Sequence, residues 1–169
     1  MSESIEKLLK YEKSWKYVFH GSLENLSILE PRQAYLYIDW KLEKDWRPAV
    51  FATPYSWVAI FRSLINEFNT DWDSGSGFGI NDWVLFFAAS RNLLESARNK
   101  IGKIYILEKR NFTDFEWTQC RCYKRVTPIL IDRSDLRGFA GKYWSDRVLL
   151  NTLFFWFEKK SKSSTITLR

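Results

Sequence analysis

The chain has one histidine, one methionine, two cysteines and four prolines in 169 residues. Each scarcity excludes something. Two cysteines cannot supply the several bridges of a small secreted disulfide scaffold. Cys120 and Cys122 fall on one face of a candidate strand. That suits neither a mutual disulfide nor, with a single distant histidine, a four-ligand zinc site. A structural role is predicted for both thiols, and no metal is expected. No apolar run approaches the roughly 18 residues of a membrane span. The opening Met1-Ser2-Glu3-Ser4 lacks the basic-then-apolar pattern of a signal peptide. A cytoplasmic protein without a membrane partner is expected. Gly75, Gly77 and Gly79 lack the preceding strand and the spacing of a dinucleotide fingerprint. Asp71 and Asp73 do not complete a calcium loop.

What is abundant is apolar, aromatic and basic. Apolar residues make up 46%, enough for one globular domain spanning residues 1–169. Aromatics reach 18%, most of which must fill the core while some remain available to stack on bases. The net charge of +6 is unevenly placed: residues 121–169 hold 11 basic against 4 acidic side chains, and residues 1–120 are nearly balanced. The basic third, ending in segment 159–169, points to an anionic partner, nucleic acid before protein.

The hydrophobic pattern predicts an N-terminal helix opening at Ser4 and a strand from Trp15 to Phe19 that stops at Gly21. Residues 22–32 read as an anchored loop, and Tyr35–Trp46 as a short strand and a polar loop. Ala49–Ala52 is a buried strand. Thr53 and Pro54 then mark a helix start, with Trp57, Ile60, Phe61, Leu64, Ile65 and Phe68 at helical spacing. Thr70–Asp82 reads as a glycine-rich surface loop. Further elements are a strand at Trp83–Phe87, a helix within Ser90–Lys100 broken by Gly102, and strands at Lys103–Glu108, Glu116–Tyr123 and Val126–Ile131. A helix over Arg147–Phe157 and a strand at Thr165–Leu168 complete the pattern. The predicted class is α+β with a mostly antiparallel sheet.

Three stretches carry the chemistry. Tyr17-Val18-Phe19-His20-Gly21-Ser22 holds the only histidine, at an aromatic strand before a glycine. Ala49-Val50-Phe51-Ala52 precedes a helix bearing Ala59-Ile60-Phe61. Asp114-Phe115-Glu116-Trp117 places a glutamate after a loop and before an aromatic, ahead of Val126-Thr127-Pro128-Ile129. Together they resemble the histidine-containing branch of the ADP-ribosyltransferase superfamily, the diphtheria-toxin and poly(ADP-ribose)-polymerase-like group, over residues 15–131.

The resemblance implies a split, mostly antiparallel fold with flanking helices, and cleavage of the nicotinamide–ribose bond of NAD⁺ with transfer of ADP-ribose to an acceptor. It implies that Glu116 hydrogen-bonds the ribose and stabilises an oxocarbenium-like transition state, at a cost of about 10²–10³-fold in rate if lost. His20 would hold the adenosine ribose. Gly21 would admit the nicotinamide amide, and Ser22 would face the nicotinamide ribose. Phe61 would stack on the nicotinamide in place of the usual tyrosine, with Tyr55 as a second aromatic. Asp114 would contact the acceptor. The sequence departs from the pattern at Val50, where the first stacking tyrosine falls, unless Phe51 takes that place. Trp57 reads as core. Two alternatives stay open: an RNA 2′-phosphotransferase-like enzyme, disfavoured by the single histidine, and an inactive nucleotide- or nucleic-acid-binding protein on the same fold.

Overall fold

A computed structural model describes residues 3–38, 41–45, 47–65, 76–81, 84–89 and 91–135. The expected helix at 147–157, the strand at 165–168, the basic segment 159–169 and part of the 70–82 loop lie outside them. The architecture is α+β with mostly antiparallel sheets and a few helices.

The chain opens with α1 (Glu3–Lys13), whose Leu8 is fully buried while Leu9 and Tyr11 pack against the same core. Next comes β1 (Tyr17–Ser22), followed by a hairpin of β2 (Tyr35–Ile38) and β3 (Lys41–Lys44). The short β4 (Val50–Ala52) leads into α2 (Ser56–Leu64). A second hairpin, β5 (Ser76–Asn81) and β6 (Val84–Ala89), precedes α3 (Arg91–Ala97). Then follow β7 (Ile101–Glu108), β8 (Cys120–Cys122) and β9 (Leu130–Asp135).

The central sheet has the order β1-β7-β9 and is antiparallel throughout. Its register pairs Phe19 with Ile106, His20 with Tyr105 and Gly21 with Ile104. The period of two in a strand then sorts the side chains onto two faces. Phe19, Ile104 and Ile106 join one core with α1, α2, α3 and Phe87. Val18, Tyr105 and Leu107 join the other, with Val50, Ala52, Phe112, Cys120, Cys122 and Val126. On the outer edge of β1, Phe19 and Thr53 exchange two backbone hydrogen bonds of 2.8 Å, which brings β4 and its partner β8 alongside.

Helix α2 is the middle layer. Every residue but Arg62 is buried, so the predicted one-sided face becomes burial all round. Burying a single Leu or Ile side chain contributes about 1.5–3 kcal/mol, so this helix contributes a large share of the apolar stabilisation. It starts at Ser56, later than the Thr53-Pro54 start the sequence predicts, because the Thr53 backbone is already paired with Phe19 and stays extended. The cap comes from α1 instead: the Glu12 carboxylate accepts the Ser56 backbone N–H at 2.7 Å and also the Ser56 hydroxyl.

Four further expectations are corrected. Strand β1 runs through Gly21 to Ser22, so His20 lies within it. Gly102 does not break the chain; it sits inside β7. Residues 76–81 of the glycine-rich loop form β5, where Phe78 pairs with Phe87 and stands edge-on to Phe61, and that packing overrides the glycines. Only Cys120–Cys122 of the predicted Glu116–Tyr123 strand is extended, and Glu116 lies in the turn before it, closed by Glu116 N–H donating to the Gln119 carbonyl at 2.8 Å.

The approach of α2 to the sheet depends on absent side chains. A Cβ on Gly21 would stand 1.9 Å from the Ala59 carbonyl oxygen and 2.8 Å from the Ser63 nitrogen, both backbone atoms. Gly21→Ala is therefore expected to lower unfolding stability by at least about 1–3 kcal/mol in urea titrations. Gly77→Ala, with nothing within 4 Å of the added methyl, should stay within about 0.5 kcal/mol of the parent.

Candidate functional site

His20 is half-buried on the second face of the sheet, and its Nδ1 lies 2.7 Å from the Phe51 carbonyl oxygen. A carbonyl only accepts, so Nδ1 carries the proton and donates. In the neutral ring Nε2 then keeps its lone pair as an acceptor. Burial is the largest influence on this imidazole and holds it below its ordinary value of 6.5; the Phe51 hydrogen bond opposes that, and Arg32 and Glu24 act weakly in opposite directions. The ring of Tyr105 lies across from it at 6.0 Å.

Tyr105 also fixes the loop that follows β1. Its hydroxyl donates to the Glu24 carbonyl at 2.6 Å and accepts the Leu26 N–H at 2.9 Å. Ser22 accepts the Glu24 N–H at 3.1 Å, which starts the same turn. Glu24 and Arg32 close it with a 2.8 Å ion pair.

Phe51 connects the histidine to the glutamate. Strand β4 alternates, so Val50 and Ala52 enter the core while Phe51 stays half-buried on the opposite face. Its cross-strand partner is Arg121. The Arg121 guanidinium lies 5.4 Å from the centre of the Phe51 ring and bonds the Glu116 carboxylate at 2.5 Å. Asp45 stands 3.9 Å from the same guanidinium. The other carboxylate oxygen of Glu116 accepts from the Gln119 amide. Arg121 first, then Gln119, holds the Glu116 carboxyl below the usual glutamate range. A carboxylate offers about four lone-pair positions, so these two donors leave capacity for a ligand hydroxyl. With 51% of its side chain exposed, Glu116 is reachable.

The structure thus links His20, Phe51 and Glu116 through Arg121. It distributes the other predicted residues differently. Gly21 faces α2, and its bare Cα serves helix packing. Phe61 is 3% exposed and packs its ring against Phe87 at 5.1 Å, so it fills the core instead of offering a stacking face. Tyr55 is the residue just before α2, makes no side-chain bond to the helix start, and packs on that same core. Val50, in the expected tyrosine position, is core as well. Asp114 takes a hydrogen bond from the Tyr123 hydroxyl, and Arg47 lies 3.5 Å over the Tyr123 ring. Sequence reasoning misses Arg121 and Tyr105. The signal for Arg121 is its place between two small buried cysteines, which puts its side chain on the face opposite theirs.

Among the described residues no group of three His, Cys, Asp or Glu side chains is arranged to hold a metal ion, and no helix is long and apolar enough to cross a membrane. No protein-family model matches the chain, and neither does any curated protein or solved structure.

Because His20 is the sole histidine, its titration can be read without assignment. Nitrogen-detected NMR should show Nδ1 protonated, Nε2 bare and a midpoint below 6.5. The native state then resists a proton that the unfolded chain takes up. The stability from neutral His20 is complete above pH 6.5 and declines as pH falls below it. His20→Gln should flatten that decline, and an unchanged slope would refute the assignment. Burial pushes the Cys120 thiol up to about 12, so a thiol reagent at neutral pH should leave Cys120 unmodified until denaturant is added.

Proposed function

We propose that the chain is an NAD⁺-dependent ADP-ribosyltransferase of the His–aromatic–Glu type, acting in the cytoplasm on a macromolecular acceptor, nucleic acid before protein. The finer fold proposed is the split ADP-ribosyltransferase-like arrangement. The observation that carries the reading is the path His20–Phe51–Arg121–Glu116, in which three separate segments meet through a hydrogen bond, a cation over a ring and an ion pair.

The roles follow from the chemistry each group can perform. The bare Nε2 of His20 accepts a hydroxyl of the adenosine ribose. Ser22, at the end of β1, faces the nicotinamide ribose. Phe51 takes the stacking role that Val50 and Phe61, both buried, do not offer. The ribose–nicotinamide bond breaks with its electron pair going to the pyridine nitrogen, which neutralises that ring. Glu116 hydrogen-bonds the ribose 2′-hydroxyl and stabilises the positive charge left on the sugar carbon. The acceptor nucleophile bonds that carbon and loses its proton to solvent, and Asp114 has the role of contacting the acceptor. Arg121 positions the carboxylate and keeps it ionised.

A second reading has a specific observation behind it. The Phe51 ring already carries the Arg121 guanidinium, so nicotinamide has to share or displace it. That favours a site that binds a nucleotide without cleaving it.

Purified protein should release nicotinamide from NAD⁺. Glu116→Gln should lower the rate by about 10²–10³-fold with its melting curve unchanged. Equal turnover in Glu116→Gln removes Glu116 from the mechanism, and NAD⁺ binding without nicotinamide release selects the second reading. Arg121→Ala takes away the main cause of the low Glu116 value. The acid limb of the pH–rate profile should therefore move to higher pH.

A further inference from the structure

Trp15, Phe115 and Trp117 are large apolar side chains left in solvent, 69%, 46% and 70% exposed. Trp15 and Phe115 come from distant parts of the sequence and share one cation. The Lys109 ammonium lies 5.5 Å from the centre of the Trp15 ring and 5.1 Å from that of Phe115. Lys109 N–H also donates to the Lys16 carbonyl at 3.0 Å, which ties this lysine to the turn after α1. Trp117 stands two residues beyond Phe115 in the turn closed by Glu116 and Gln119.

The backbone here is unusual. Among the described residues two non-glycines have positive φ, Trp15 at 58° and Asp114 at 50°, and both belong to this patch. A left-handed residue just past a helix is normally glycine or asparagine. A tryptophan there pays a conformational penalty and gains no burial in return. Asp114 turns the chain immediately before Phe115. Stability is given up at Trp15, where the result is an aromatic ring held outward, while Asp114 is a residue type that tolerates the left-handed region.

The charge around the rings favours phosphate. Lys13 ends α1, Lys16 directly precedes β1, and Lys109 and Arg110 open the short helical turn after β7, so four basic residues flank Trp15 and follow β7. Arg110 pairs with Glu108 and Arg121 with Glu116, so each pair is neutral as a whole, and the patch keeps Lys13, Lys16 and Lys109 against the one carboxylate of Asp114. Exposed rings separated by cations are what a strand of unpaired bases needs: each base has a flat face to stack, and each phosphate a charge to meet. Duplex DNA hides its base faces and would use only the charges.

We propose that Trp15, Lys109, Phe115 and Trp117 form a stacking platform for single-stranded nucleic acid. As the acceptor's docking surface the platform rests on the transferase reading; as a binding surface it stands without it.

The test is fluorescence anisotropy of a labelled thymidine oligonucleotide of about 20 residues with the full-length chain and no NAD⁺. Trp15→Gly, Phe115→Ala and Trp117→Ala should each weaken binding about 5- to 150-fold. Trp15→Gly should melt no lower than the parent, because glycine takes the left-handed position freely; a weaker affinity with an undiminished melting temperature then separates lost stacking from lost structure. Lys109→Ala should reduce the slope of log affinity against log salt by about 0.7. The proposal is overturned by no binding, by affinities that ignore the three rings, by equal affinity for the duplex, or by poly-glutamate of the same charge competing as well as the oligonucleotide. Ring-dependent binding by a chain that releases no nicotinamide leaves the platform standing and removes the transferase. Ring-independent binding by a chain that does release it has the opposite meaning.

Discussion

The fold depends on how closely α2 lies on the sheet. Gly21 on β1 and Gly102 on β7 are the two points where a methyl group would overlap the helix, at Ala59 and Ser63. Since side chains alternate along a strand, fixing Gly21 under the helix fixes its neighbours His20 and Ser22 on the other face. The packing of one core therefore sets which way the histidine points. The same helix is capped by Glu12 from α1, so its N-terminus is secured by an element 44 residues earlier in the chain.

The second face is assembled by edges instead of by a helix. Strand β4 pairs three residues with β8 and is held beside β1 by one bridge at Thr53, the residue just past its end. With so short a ladder, its alternation is decisive: two residues enter the core, and Phe51 is left to carry a ring outward and a carbonyl toward His20. Arg121 uses the same logic on β8. An electrostatic path across three segments thus follows from two three-residue strands pairing in one register.

Much of this was legible in the sequence, and the exceptions have physical causes. The buried strand at 49–52, the helix after it and the His20 strand follow from period and composition. Glycine misled twice. At Gly21 and Gly102 it signals a helix pressed against a strand, and in Ser76–Asn81 an aromatic partner across the hairpin outweighs its freedom. Phe61 sits at helical spacing like its neighbours, and nothing local distinguishes a ring aimed at a cleft from one aimed at Phe87. Glu116 is read correctly as following a loop but not as lying inside a turn, because the alternation of residues 116–123 looks like a strand while a local bond from Glu116 N–H to the Gln119 carbonyl folds the first part of it back. Alternation with two cysteines gives only the face on which Arg121 lies, and for Tyr105 the pattern gives nothing, since the importance of both lies in what faces them across a ladder.

Tyr105 has a wider meaning. Its ring is wholly enclosed, yet its hydroxyl holds two backbone groups of the loop beside His20. Removing one oxygen atom there would strand a peptide donor and a peptide acceptor at once, while the sheet beneath keeps its ladder. The loop beside His20 is fastened from inside the protein, so its position can be altered by a substitution at a residue that never reaches the surface.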